Sequence, residues 1–292
     1  MAKSQSIVRG AFFIVAWEFS SALSAAIIKQ VSISLPNESI VFFRNLFGLL
    51  ILVPLLIKSE RNILHTDVLP LHLARAGFGI GAMYCFFYAI ANIPLGDAML
   101  IKSTTPLIIP FVSFVWLKES MTSRVVVAGI LGFMGVFLIL EPTGDVDWVS
   151  IVALVSSIMA ALAFVTVRKL SATEPPLRIV AYFGIFGLCI SSIPLVWAWQ
   201  TPTPTEYLML ISIGLITTIG QLCLTRGYQN APASSVGIFT YSSVPFGTFL
   251  GWLLFAEVLD FNSLFGAVFI VLAGLIILRT KVIPQSSSYP RQ

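Results

Sequence analysis

The sequence predicts an all-α polytopic membrane protein with ten transmembrane helices in two inverted five-helix repeats. Three observations predict it. Of the 292 residues, 57% are hydrophobic and only 10% charged, against about 25% charged in a soluble globular protein. Ten long apolar runs follow one another with short connections. Landmark residues of the first half also return in the second at a nearly constant offset.

A membrane helix needs about 20 apolar residues to cross about 30 Å of hydrocarbon. Candidate spans lie near 10–29, 38–57, 73–92, 96–117, 124–140, 148–168, 177–199, 206–228, 233–256 and 262–279. What remains is too short for an extramembrane domain. The mean hydropathy of +0.95 excludes a soluble enzyme domain, and the composition excludes disorder and collagen-like repeats. A porin-like barrel is excluded because its strands alternate apolar and polar residues, whereas Val125 to Leu140 is one unbroken apolar run. Lys3 and Arg9 before the first run, with Ala22-Leu23-Ser24 inside it, resemble a signal peptide. Glu18 interrupts that run and nine spans follow, so residues 10–29 are read as a retained first helix.

The net charge of +4 reflects topology and not nucleic acid. With the N-terminus in the cytoplasm, fourteen of the 17 Lys and Arg fall on the cytoplasmic side, Arg75 among them. Lys29 alone falls outside, and Arg44 and Lys102 fall within spans. This asymmetry is the positive-inside rule, and it predicts both termini in the cytoplasm. Cys85, Cys189 and Cys223 all lie within spans and are read as small buried residues.

Asn92-Ile93-Pro94 and Glu119 recur as Asn230-Ala231-Pro232 and Glu257, both 138 residues later. Cys85 and Cys223 share that offset, Pro106 and Pro245 share it within one residue, and Lys29 and Lys169 end matching helices. The chain therefore divides into repeats 1–145 and 146–285 with a cytoplasmic tail at 286–292. Five helices is an odd number, so the second copy enters the membrane from the opposite side. Inverted repeats are a common plan of secondary transporters, with the substrate site near the midplane between the halves.

The chain resembles the drug/metabolite transporter superfamily, EamA type, over about residues 8–280. The resemblance rests on the helix count and on Trp17 in the first span, with Phe42-Phe43-Arg44 in the second. The third span contributes Tyr84-Cys85-Phe86-Phe87-Tyr88-Ala89, followed by Ile93-Pro94-Leu95-Gly96-Asp97-Ala98. The fourth contributes Pro106-Leu107 and ends at Leu117-Lys118-Glu119, echoed by Ala256-Glu257. Where the family commonly has Trp-Gly in the first helix, this chain has Trp17-Glu18. The resemblance implies a small-metabolite carrier of the cytoplasmic (inner) membrane. Family members move amino acids, nucleobases, S-adenosylmethionine, riboflavin, sugars or drugs, many of them outward, by proton coupling or exchange. It also implies a central cavity lined by both halves, peripheral fifth and tenth helices, and a structural role for Arg44.

Glu18 is the sharpest functional signal. A carboxylate at mid-membrane depth costs about 2.5–3.5 kcal/mol on insertion scales, so it should face the bundle interior beside Ser21, Ala22 and Ala25. It is read as a proton-coupling acid or a clamp for a substrate ammonium, against a structural ion pair with Lys102 or Arg44. Lys102 could hold a substrate carboxylate or phosphate, or snorkel outward along its own stem. Pro106 and Pro110, answered by Pro245, interrupt corresponding helices, which points to a transport site, against a packing kink. Tyr84 and Tyr88 could stack on a planar substrate, on a face shared with Gly77 and Gly81, read as helix-packing glycines. Gly214, Thr218, Gln221, Thr225 and Tyr228 form a polar stripe that bridges helices or wets a cavity, with Gln221 deepest. Trp17 and Tyr241 are weaker candidates, because aromatics also fill cores. The glycines of Gly77-x-Gly79-x-Gly81 lie inside an apolar helix and follow no strand, so they are not a dinucleotide loop. Neither a zinc motif nor a nucleophile elbow occurs, and no cofactor, metal or enzyme activity is expected.

These residues suggest a secondary transporter of a small polar metabolite, foremost an amino acid or its derivative, gripped as a zwitterion by Glu18, Lys102 and aromatics. The alternative is an exporter of cationic drugs or of a nucleoside, S-adenosylmethionine or a vitamin. An intramembrane enzyme lacks its clustered catalytic groups here, and a scaffold lacks reason for a midplane acid. The partners expected are the substrate and the lipid bilayer. The Gly247 and Gly251 pair could also serve a homodimer or a contact inside one chain.

Overall fold

A computed structural model describes residues 7–59, 63–117, 123–139, 148–230, 237–258 and 261–278. Among the described residues there is no strand. The helices are α1 (Ile7–Val31), α2 (Asn37–Ile57), α3 (Leu69–Asn92), α4 (Leu95–Lys102), α5 (Thr105–Leu117) and α6 (Ser123–Ile139). They continue as α7 (Trp148–Leu170), α8 (Pro176–Ser192), α9 (Leu195–Ala198) and α10 (Pro204–Asn230). A 3₁₀ turn, Gly237–Ser242, leads into α11 (Ser243–Phe255), and α12 is Phe261–Leu278. Six stretches are long and apolar enough to cross a membrane: Val8–Val31, Asn37–Ile57, Leu69–Asn92, Leu95–Trp116, Trp148–Leu170 and Pro204–Asn230. Glu119, Ala231-Pro232, the repeat boundary and the 286–292 tail lie outside the described residues, as does the side chain of Pro110.

Proline sets many of the boundaries. Pro36 and Pro94 precede α2 and α4 in extended backbone, and Pro70 and Pro176 occupy the first turns of α3 and α8. There the missing N–H has no helical partner to lose. Pro194 sits where α8 gives way to the short α9. Three predicted spans are thus not single α-helices: residues 96–117 break at Ser103-Thr104, 177–199 at Pro194, and within 233–256 a 3₁₀ turn, Gly237–Ser242, precedes the α-helix.

α1 packs on α10, α3 on α7, and α6 on α12. α2 lies against both α8 and α10, and α11 against α1 and α4. Small residues let these helices approach. A Cβ on Gly214 would stand 2.7 Å from the Phe47 Cβ and 3.0 Å from the Gly48 nitrogen, so α10 and α2 touch nearly backbone to backbone. Thr218 fixes the same contact by donating to the Gly48 carbonyl at 3.3 Å. Gly247 and Gly251 face Leu95 and Met99 of α4, so the chain uses both glycines internally. Gly81 seats Met159 of α7, whereas Gly77 is exposed and has open space beside it, so it is not the packing contact expected of it. Cys189 is exposed and Cys85 and Cys223 are half-buried, a correction to the buried reading of all three.

Large apolar side chains point outward, among them Phe12, Ile57, Val115, Ile130, Trp252 and Leu272. The polar ones turn inward: Glu18, Arg44, Asn45, Arg75, Ser103 and Gln221 are all buried. That arrangement suits hydrocarbon as the surrounding solvent.

Gly214→Ala is expected to destabilise the fold by about 1–3 kcal/mol through overpacking against α2. Gly77→Ala is expected to be neutral or slightly stabilising, because it gains helix propensity without a clash. Melting curves of the two variants in detergent check the contrast.

Candidate functional site

The site grows from the break between α4 and α5. Pro106 stands in the first turn of α5 and cannot donate a backbone bond to the Lys102 carbonyl, so the helix interrupts there. Hydroxyls take over at the gap. Ser103 donates to the Met99 carbonyl at 2.8 Å and Thr104 to that of Ile101 at 2.7 Å, and Ser157 of α7 also reaches Ile101 at 3.0 Å. Ser103 further meets Ser243, the first residue of α11, with 3.0 Å between the hydroxyl oxygens. α11 carries Pro245 in its own first turn. The break after α4 and the start of α11 therefore touch.

The break leaves Lys102 as the last residue of α4, directed at α1. Its ammonium donates to Glu18 Oε2 at 2.8 Å and to Ser21 Oγ at 2.7 Å, and it lies 5.5 Å from the centre of the Trp17 ring. Glu18 is 3% exposed. Of the readings open for Glu18, the structure realises the pairing with Lys102. The acid and base expected to grip opposite ends of a zwitterion are bonded to each other.

Beside this pair is a cavity of about 120 Å³ lined by α1, α2, α3, α4, α7, α8 and α10. Its apolar wall includes Trp17, Ile28, Met83, Phe86, Phe87, Phe164 and Phe183, and its polar groups come from Ser21, Ser24, Arg44, Arg75, Lys102, Ser156, Thr217 and Gln221. Gln221 accepts a bond from Arg75 Nη2 at 3.1 Å. Arg44 donates to Asn45 Oδ1 at 2.8 Å, and Asn45 in turn donates to the Val41 carbonyl at 3.0 Å. A wider groove of about 780 Å³ runs between α5, α6 and α12, but its lining, from Phe111 to Phe269, is wholly apolar and cannot orient a polar compound.

Of the candidate residues, Trp17, Ser21, Arg44, Lys102 and Gln221 line the cavity and Glu18 stands behind Lys102. The others do not line it. Tyr84 is half-buried and gives its carbonyl to Asn37, while Tyr88 is 39% exposed. Tyr241 packs with Leu100, Ile101 and Leu107 around the α4–α5 break. Pro106 and Pro245 shape the breaks without facing the cavity. Within the α10 stripe, Gln221 faces the cavity while Gly214 and Thr218 serve contact with α2. Sequence reasoning missed Arg75. It lies in the second turn of α3 and counts there as a flanking charge, yet it is 3% exposed and reaches the cavity. Its helical register with Gly79 and Ala82, both cavity-lining, was the available signal.

Two polar clusters hold the ends of the bundle. At one end Lys29 pairs with Glu257 at 2.6 Å and donates to the Ile93 carbonyl at 2.7 Å. Glu257 also accepts the Leu95 backbone N–H at 2.7 Å, a carboxylate at the N-terminus of α4, where the helix dipole favours it. Ala256 makes this reach feasible by taking a left-handed conformation, φ 54°, that non-glycine residues seldom adopt. At the other end Glu174 accepts bonds from Arg178 at 2.6 Å and Thr66 at 2.8 Å, and Arg178 donates to the Ile63 carbonyl at 2.6 Å. Burial pushes the Glu174 carboxyl up, but the bonds from Arg178 and Thr66 and the nearby charges of Arg178 and His72 outweigh it. The carboxyl is held below the usual carboxylate range.

The sequence profile of the EamA-like transporter family matches residues 8–141 and again 147–279. The chain belongs to that family. It is 33% identical over 276 residues to a pseudopaline exporter of Pseudomonas aeruginosa, covering 93% of this chain and 96% of that one. It is 27% identical to a riboflavin transporter of Vibrio cholerae, over 88% of this chain and 90% of the relative. An S-adenosylmethionine uptake transporter of Rickettsia bellii is 24% identical, with 89% of each chain covered. A solved crystal structure superposes with a TM-score of 0.67 over 92% of this chain and 94% of its own, at 15% identity, which establishes likeness of fold alone. The chain is a polytopic membrane protein of a transporter family.

Two outcomes test the site's electrostatics. Glu18→Gln leaves the Lys102 ammonium buried without a charge partner and is expected to destabilise by about 3–5 kcal/mol, most of it recovered in Glu18→Gln/Lys102→Met. Melting temperatures of the two variants check this. For Glu174, the folded pKa lies below the unfolded one. Its contribution is therefore complete above the unfolded value, about 4.3, and is lost as pH falls through the folded value. The melting temperature of Glu174→Gln is expected to lie below that of the parent at pH 7, with the gap closing as the pH drops below about 4.

Proposed function

We propose that the chain is a secondary transporter that moves a small polar metabolite, foremost an amino acid or amino-acid derivative, across the cytoplasmic membrane by alternating access. The observation that carries this reading is the polar cavity inside an apolar bundle, next to the point where two interrupted helices meet. Interrupted helices at corresponding positions of two repeats are a recurring feature of transporter substrate sites.

Ten spans in two inverted repeats, 1–145 and 146–285, accord with the helix packing. The first span packs on the eighth as the sixth does on the third, in the pairs α1 with α10 and α7 with α3. The second packs on the seventh, α2 with α8, and the fifth on the tenth, α6 with α12. Exchanging each span for the one five places along returns the same pairs. The charge asymmetry of the sequence favours both termini in the cytoplasm.

The Glu18–Lys102 pair gives the carrier a place for coupling. Protonation of Glu18 would release the Lys102 ammonium from its partner and weaken the tie between α1 and the α4–α5 break. The cationic-drug alternative fares less well, because the residues lining the cavity include three basic side chains and no acid among the described residues.

Counterflow in proteoliposomes tests the reading. Labelled amino acids and N-acylated amino acids are offered to the reconstituted chain with and without an imposed pH gradient. The expected result is saturable uptake by the parent that responds to the gradient, with exchange retained and the gradient response lost in Glu18→Gln. Uptake indistinguishable from empty vesicles for every compound would contradict it.

A further inference from the structure

The cavity holds positive charge that no described carboxylate neutralises in full. Lys102 is answered by Glu18. Among the described residues, Arg44 and Arg75 are answered by neutral amides, Asn45 and Gln221. Among the described residues no carboxylate stands within ion-pair distance of either guanidinium. Both side chains are deeply buried, at 6% and 3% exposure, and Arg75 Nε has no hydrogen-bond partner there. A buried charge of this kind is costly unless paired.

The surrounding helices are shaped to keep both cations in place. Arg75 lies over the Phe183 ring at 4.1 Å from its centre, and Arg44 over the same ring at 5.4 Å. A Cβ on Gly79 would collide with Arg75 Nη1 and stand 2.7 Å from the Phe183 ring, so only glycine leaves the room that Arg75 uses. A Cβ on Gly187 would likewise press at 3.0 Å on Asn45 Oδ1, the atom that holds Arg44. Two guanidiniums thus share one aromatic wall of the cavity, each with N–H donors to spare. Arginine presents its donors in a planar fork that matches a carboxylate.

We infer that the substrate itself supplies the missing counter-charge: the cavity takes a net-anionic carboxylate compound, its acid group held by Arg44 and Arg75 beside Phe183. The inference rests on the carrier reading and narrows its substrate class to amino-acid derivatives or similar acids without a free cationic amine. Ser24, Ser156 and Thr217 offer further hydroxyls at the cavity wall, and Phe86 and Phe87 offer an apolar face for the rest of the molecule.

The test is ligand-induced thermal stabilisation of the full-length chain in detergent at fixed ionic strength. The probes are glutarate, benzylsuccinate, phenyl phosphate, leucine and benzyltrimethylammonium. Glutarate or benzylsuccinate is expected to raise the melting temperature, while leucine and benzyltrimethylammonium are not. Arg75→Gln and Arg44→Gln should each weaken that binding at least about tenfold, with partial rescue by Arg75→Lys. Gly79→Ala should weaken it too, though it leaves all charges in place. Without ligand, Arg75→Gln should melt no lower than the parent, because it removes an unneutralised charge; an arginine with a purely structural role would lower it. Stabilisation by leucine without the dicarboxylates would overturn the inference and leave the carrier reading standing. Preference for phenyl phosphate would overturn the carboxylate assignment. Dicarboxylate binding unchanged in both arginine variants would overturn the site. Stabilisation by none of the probes would overturn the inference, while the counterflow assay judges the carrier reading separately.

Discussion

An ammonium group inside an apolar bundle must find an anion, and much of this site follows from how Lys102 does so. Pro106 ends α4 at Lys102, and the freed side chain spans to Glu18 and Ser21 on α1. α1 also packs against α10, which carries Gln221 to the cavity. The pair therefore ties the end of α4 to α1, the helix that packs on α10. Its members are 84 residues apart in sequence, so it forms only when the bundle is assembled. A buried pair of this kind contributes little net stability compared with an apolar pair of the same shape, but loss of one member is severe.

The same logic extends to the two ends of the bundle. Lys29, Glu257 and the N-terminus of α4 form one polar cluster, and Glu174, Arg178 and Thr66 form the other. Each joins elements distant in sequence through a few charge-assisted bonds, the kind of contact that can break and reform as a unit. The cavity lies between them, lined by Arg44, Arg75 and Gln221 against an aromatic wall. Close packing through glycines such as Gly48 and Gly214 holds α2 against α10, with Thr218 bonded across the same contact.

Much of this was legible in the sequence, because a membrane makes polar residues conspicuous. Glu18 and Lys102 stood out inside apolar runs, and Pro106 and Pro245 marked helices that do break. The failures have physical reasons. Arg75 lies in the second turn of its helix, at a depth where charges ordinarily reach water, yet it is buried against Phe183 and Gln221. Tyr84 and Tyr88 share a face, but α3 turns the neighbouring face of Arg75, Gly79, Ala82 and Phe86 to the cavity. Gly77 carries the small-residue pattern of a packing contact, but no neighbour stands opposite it. The prolines were legible as interruptions, not as lining: their effect is to free Lys102 and to bring Ser103 to Ser243.

The proposed carrier requires that this positively charged cavity become accessible to water within the membrane. Cysteine accessibility tests it most directly and needs no knowledge of the substrate. Ala160, a half-buried residue of the cavity wall, is replaced by Cys in a chain whose Cys85, Cys189 and Cys223 are Ser. The reconstituted protein is then treated with small methanethiosulfonates of opposite charge. The account predicts labelling at Ala160→Cys, faster by the anionic sulfonatoethyl reagent than by the cationic trimethylammonium one, with the preference lost in Arg44→Gln/Arg75→Gln. Protection from both reagents, or faster labelling by the cation, would contradict it.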